Sequence, residues 1–244
     1  MAELPVTNGE FLEFVTSGEY ENPDNWTASD WQWKQLANLK FPNTWELKDG
    51  KFYYRTVFDL IPLDEVVDWP VYVSQAEAVS YAKWKGMRLP TEAEFCRAAY
   101  GRRAASETSS LKHPWGVVAS DKPWGVVSKD QEPVKGVHGN FGFWSWAPTP
   151  VGYFPAGKSE FGIYELVGNG FEWTSTVFDG LPGFQAFVPK YEGYSKDFFD
   201  GEHYVCLGAS WATAEPLVRA SFRNWYQSHY QYTFTKFRLV SDCN

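Results

Sequence analysis

Cysteine is scarce in this 244-residue chain, and Cys96, Cys206 and Cys243 are an odd number at wide spacing. That argues against a disulfide framework and against a zinc knuckle, and leaves reduced, mostly structural thiols. Long apolar runs are also missing: stretches such as 71–73 and 141–146 fall far short of the roughly 20 residues a bilayer needs. The opening Met1-Ala-Glu-Leu-Pro has neither a basic nor an apolar leader segment, so the expectation is a cytoplasmic protein with no membrane partner. Positive charge is short as well, with a net charge of −8, a pI near 5.1 and no basic stripe. A phosphate backbone would be repelled, and nucleic acid is not an expected partner.

What the chain has in excess is aromatic surface: 19% of residues, 13 of them Trp. Large rings pin irregular segments at little entropic cost and also suit a pocket for a flat ligand. No repeat or low-complexity linker divides the sequence, so residues 1–244 are read as one domain. Three segments carry Ser or Thr followed three residues later by Glu, the reciprocal capping box: Thr7 with Glu10, Ser74 with Glu77, and Thr91 with Glu94. The helices they open are expected to bury Phe11, Phe14 and Val15, then Ala78, Tyr81 and Ala82 up to a stop at Gly86, then Phe95, Ala98 and Ala99. Residues 101–160 lose that periodicity to Gly, Pro, Trp and Ser, and loops of such length are uncommon unless functional. Strands are expected over 51–57, 204–207 and 234–240. Helices early, short strands late and long loops between them predict an α+β domain.

Five ordered motifs span nearly the whole chain: Pro5-Val-Thr-Asn-Gly-Glu-Phe11, Gly86-Met-Arg-Leu-Pro-Thr-Glu-Ala-Glu-Phe95, Gly162-Ile-Tyr-Glu-Leu-Val-Gly-Asn-Gly-Phe-Glu-Trp-Thr174, Leu207-Gly-Ala-Ser-Trp-Ala212 and Phe237-Arg-Leu-Val240. Together they resemble the formylglycine-generating-enzyme (sulfatase-modifying factor) family, which implies a loop-rich, C-type-lectin-like α+β fold. Residues 172–184, Asp197-Phe-Phe-Asp-Gly-Glu-His203, Ser210-Trp-Ala-Thr213 and Phe222-Arg-Asn-Trp-Tyr-Gln227 are similar to one branch, the carboxy-terminal domain of fungal ergothioneine biosynthesis proteins. In that branch a DinB-like helical bundle holds iron(II), and the resemblance implies oxidative coupling of cysteine to hercynine with dioxygen. Relatives also carry a further stretch and an initial strand before the Pro5 motif. The resemblance therefore implies an amino-terminal truncation that leaves residues 236–240 as a partly open sheet edge.

Taken residue by residue, the chain has little with which to hold iron itself. His113, His138, His203 and His229 show no spacing that would place two ligands on one helical face, so iron is expected to come only from the absent helical partner. The copper-dependent members pair cysteines after the Ser210-Trp211 motif. Here Thr213 takes the first such position and no thiol follows before Cys243, which weighs against formylglycine generation. Bacterial relatives carry a proton-donating tyrosine in the loop where this chain has Phe178 and Leu181. Tyr226 and Tyr230 are the nearby phenols that could serve instead.

For substrate, Trp211, Trp225 and Tyr226 offer faces for a trimethylammonium group. Arg219, Arg223 and Asn224 offer donors for carboxylates, beside Ser210, Thr213 and Phe178. Such groups equally serve as core and loop braces. Arg88 is expected in an internal salt bridge at a helix start. Asn169 and Glu172 match a calcium position in parts of the family, though two oxygen ligands fall short of the six to eight calcium takes. The function expected is thus the substrate-facing half of a sulfoxide synthase, with a non-catalytic binding module and a self-sufficient metal oxidase as alternatives.

Overall fold

In the computed structural model, residues 1–103, 111–116, 136–186 and 196–242 are described. The helices are α1 (Asn8–Thr16), α2 (Ala28–Leu36), α3 (Gln75–Trp84) and α4 (Glu92–Tyr100). All three expected capping boxes form in full, each hydroxyl accepting from the backbone N–H of the Glu whose carboxylate reaches back. At α4 the box is tied further: Arg88 grips both carboxylate oxygens of Glu94 at 2.8 and 2.9 Å, and this holds that carboxyl down at about 2. The bridge is half-exposed rather than internal. Thr91→Ala removes one satisfied N–H and is expected to cost about 1 kcal/mol, read as a lower urea midpoint at unchanged slope.

Helix α2 escapes the sequence reading because it has no apolar stripe. Its buried residue is Lys34, whose ammonium donates to Glu21 (2.8 Å) and the Leu39 carbonyl (3.0 Å) and lies 4.8 Å from the Tyr20 ring centroid. A charged residue on the inward face hides the helix from a hydrophobic-period search.

Two sheets complete the α+β architecture. One is an antiparallel meander of β1 (Trp45–Lys48), β2 (Lys51–Arg55) and β3 (Leu60–Pro62). The other has order β6-β5-β4-β7, from β4 (Gly170–Val177), β5 (His203–Ala209), β6 (Asn224–Gln227) and β7 (Thr235–Lys236), with only β7 parallel to its neighbour. The expected strand over 51–57 stops at Arg55, where the Thr56 hydroxyl takes up the N–H groups of Phe58 and Asp59 and closes a turn. Gly208 lies at φ +82°, and a Cβ there would sit 2.4 Å from the Leu166 carbonyl, so the motif glycine is what lets β5 approach the 162–170 loop.

The expected open edge does not exist. Residues 236–240 are all buried, and beyond its pairing with β4 this segment accepts from Val73, Val6 and Ala2 at Thr235, Phe237 and Leu239, while Val240 and Arg88 exchange two bonds. Each residue finds a separate partner, so the expected seven-residue strand contracts to two. The largest core cluster joins Val6 to Leu239 around Phe11, whose ring meets those of Phe14, Tyr20, Trp45, Tyr81 and Phe237.

Candidate functional site

Strand β6 is the edge of the four-stranded sheet and carries three of the candidate residues in a row. Successive side chains on a strand point to opposite faces, so Trp225 and Tyr226 part company. Trp225 stacks on Phe178 at 4.4 Å and 8°, with Phe198 at 5.4 Å, and joins the cluster under α4. Tyr226 stacks instead on Tyr230 at 5.1 Å and 7°, edges against Trp173, and accepts from the Asn224 amide at 3.1 Å. The phenols proposed as proton donors are thus a stacked pair on one face, and the Trp225–Phe178 platform is on the other.

Arg223 belongs to the platform. Its guanidinium lies 4.8 Å from the Phe178 centroid, grips both oxygens of Glu92 (2.7 and 3.0 Å) and donates to the Asp179 carbonyl. These contacts brace the first turn of α4 against the loop after β4. Arg219 is exposed, turned to Ser221 and Phe222.

The third group is separate again. Thr213 and Ser210 bond each other at 3.1 Å, and the Thr213 hydroxyl caps the Ser210 N–H at 2.9 Å, closing the turn after β5. Trp211 is buried among Trp146, Phe143 and Phe234. Trp211, Trp225 and Tyr226 therefore do not form one aromatic cage, because strand alternation and the turn at Ser210 send them three ways.

Asn169 and Glu172 are engaged with different partners. The two oxygens of Glu172 bond Arg238, and Lys236 lies 3.4 Å from one of them, all with fully buried side chains. Burial alone would raise this carboxyl, but Arg238 and Lys236 outweigh it and hold it low. Asn169, at φ +60°, turns its amide to Thr149, Asn140 and Glu165. A calcium ion here would meet a carboxylate already saturated by two cations.

Among the described residues no group of three or more His, Cys, Asp or Glu is placed to hold a metal ion. His203 pairs with Asp200 at 2.8 Å, and His229 pairs with Asp30 at 2.7 Å while stacking on Trp33. His113 and His138 stack against Trp115. Cys206 is buried, Cys96 is half-buried, both are free thiols, and Cys243 lies outside the described residues.

Sequence reasoning passed over Glu92, Phe198 and Phe199, the last of which packs on Phe178 with ring centroids 5.1 Å apart. Glu92 is the second acid of α4's first turn, and the phenylalanines lie inside the quoted 197–203 motif, so the signals were present without a reason to connect them.

Among the described residues no helix is long and apolar enough to cross a membrane. The chain is 36% identical over 245 residues to the hercynine oxygenase of Mycobacterium tuberculosis, covering 99% of this chain and 52% of that protein. It is 32% identical over 246 residues to ergothioneine biosynthesis protein 1 of Schizosaccharomyces pombe, covering 99% and 25%. It thus spans about half the length, or less, of these relatives, and the near-equal identities do not single out the fungal branch. Among solved structures it is similar to PvdO from Pseudomonas aeruginosa, with a TM-score of 0.52, 19% identity and coverage of 97% of this chain and 77% of that one, a likeness of fold. The sulfatase-modifying factor enzyme 1-like domain matches residues 1–243, and the chain belongs to that family.

Proposed function

We propose that this chain is the substrate-facing domain of a cytoplasmic sulfoxide synthase of ergothioneine biosynthesis, which couples cysteine to hercynine with dioxygen. The carrying observation is the match over 99% of the chain to a hercynine oxygenase, joined to an edge strand that sets Trp225 with Phe178 and Arg223 on one face and Asn224 with Tyr226 on the other. Iron(II), held by a DinB-like helical partner, supplies the oxygen chemistry. The residues of this chain wall the site and orient the substrates, which removes the entropic cost of bringing them together. The Trp225–Phe178 stack supplies an apolar wall, stiffened by Arg223 and Glu92. Tyr226 and Tyr230 supply hydroxyls on the other face of the strand. The fungal-type assignment rests on the motifs at 172–184, 197–203, 210–213 and 222–227, and the C-type-lectin-like description on the five family motifs.

The test mixes the chain with an iron-bearing helical partner, hercynine, cysteine and oxygen, and looks for the sulfoxide by mass spectrometry. Product is expected, and Trp225→Ala should lower kcat/KM by roughly tenfold or more, the scale of a lost aromatic wall, while Trp225→Phe restores most of it. Absence of product with a folded partner would favour a binding module instead.

A further inference from the structure

A cleft of about 730 Å³ runs along one flank of α4, and none of the β6 platform residues lines it. Glu94, Arg97 and Ala98 enter it from the helix, and Phe161, Ile163 and Val240 add apolar walls. The three helical residues stand at i, i+3 and i+4 and so share a face. Glu92, which holds Arg223 at the platform, precedes Arg97 by five residues, about 140° around the helix. Cleft and platform therefore use different faces of one element.

Four charged side chains line the cleft, and three are already engaged. Glu94 accepts from both terminal nitrogens of Arg88 at 2.9 and 2.8 Å. Lys158 pairs with Glu3 at 3.3 Å while lying over the Tyr164 ring. Arg97 has no ion pair among the described residues. Its guanidinium lies 4.9 Å from the Phe161 centroid and beside Gly101, where a Cβ would come within 2.5 Å of Nη1. Arg103 lies 6.0 Å from the same ring and is likewise without an ion pair among the described residues. The carboxylate of Glu160, next in sequence to Phe161, is divided between Arg102 at 3.3 Å and the Arg103 backbone N–H at 3.1 Å. Two guanidiniums over one ring repel each other, and an anion beside them relieves that repulsion.

We propose that this cleft binds a small organic monocarboxylate, with Arg97 taking the carboxylate and Ala98, Phe161, Ile163 and Val240 receiving an apolar body. A guanidinium fork matches a carboxylate in shape and charge. The volume falls within the roughly 300–1,000 Å³ of small-ligand sites. Inorganic phosphate would leave the apolar walls unfilled, and its second charge would meet Glu3 and Glu94.

The inference goes beyond the sulfoxide-synthase reading and does not rest on it, because the test needs neither iron nor turnover. The chain alone is titrated calorimetrically with 4-phenylbutyrate and with its neutral carboxamide. The acid is expected to bind about fivefold more tightly, the scale of one partly exposed ion pair, and the Nε signal of Arg97 should shift in NMR. Acetate and inorganic phosphate at equal concentration should not displace it. Arg97→Gln, at an exposed position, should remove the preference for the acid, whereas Arg97→Lys keeps the charge without the fork and should retain part of it. Thermal melting checks that both variants fold. No binding of the acid, equal affinity for acid and carboxamide, displacement by phosphate, or a preference intact in folded Arg97→Gln would overturn the site. Failure here leaves the coupling assay untouched, and failure there leaves this titration untouched.

Discussion

Replacing Arg238 with methionine is expected to destabilise the fold by about 3–5 kcal/mol, the largest single-residue effect foreseen. Its guanidinium is fully buried, bonds the two oxygens of Glu172, and donates to the carbonyls of Ala2 (3.2 Å), Glu3 (3.0 Å) and Tyr164 (2.8 Å). The variant strands Glu172 with Lys236 alone and leaves three carbonyls without their donor. Lys236 cannot take over, since its ammonium is already committed to the Gly168 and Gly170 carbonyls at 3.1 and 2.7 Å. Against a total stability of roughly 5–15 kcal/mol, urea unfolding should show a much lower midpoint. A loss below about 1 kcal/mol would mean that Glu172 finds other compensation. In a double-mutant cycle with Glu172→Gln, a coupling of about 2 kcal/mol or more would identify the pair as the source.

The second large effect concerns pH. Glu165 is only 2% exposed, and burial raises its carboxyl from 4.5 to about 7, despite the pull of Lys236, Arg238, Asn169 and the Gly152 N–H in the other direction. A carboxyl raised in the folded state holds its proton longer than in the unfolded chain. Its contribution is fully present below the unfolded value and is lost as pH climbs through the folded one. Between about pH 4.5 and 7 the chain should therefore lose roughly 3 kcal/mol through this group, and nothing further above that. Glu165→Gln cannot ionise, so the difference between wild-type and variant stability should slope across that window and flatten above it. Parallel pH profiles would sink the assignment.

The capping boxes were legible because they are local. Thr7, Ser74 and Thr91 need only a Glu three residues on, and each forms as written. The family motifs were legible for a similar reason: Gly208 and the 162–170 loop encode tight approaches and positive φ angles that few other residues tolerate. Helix α2 was not, since its inward residue is a lysine satisfied by Glu21 from another segment. Strand β7 was overextended because aromatic and β-branched content marks a buried extended segment, whereas the partners that divide 235–240 among Val73, Val6, Ala2 and Arg88 lie far away in sequence.

The same boundary runs through the candidate site. The sequence selected Trp211, Arg223, Trp225 and Tyr226 as residue types able to meet a methylated, carboxylated substrate. It could not say that Arg223 would be spent on Glu92 or that Trp225 would lie flat on Phe178. Nor could it say that Tyr226 would face away, or that Trp211 would pack with Trp146 and Phe234 instead. By itself the sequence determined three of the four helix starts and the family, each through short local patterns fixed by backbone sterics and local hydrogen bonds. Only the tertiary structure decided which rings share a wall and which charges are already neutralised, because those depend on strand pairing and on contacts closed between distant segments, 131 residues apart for Arg223 and Glu92.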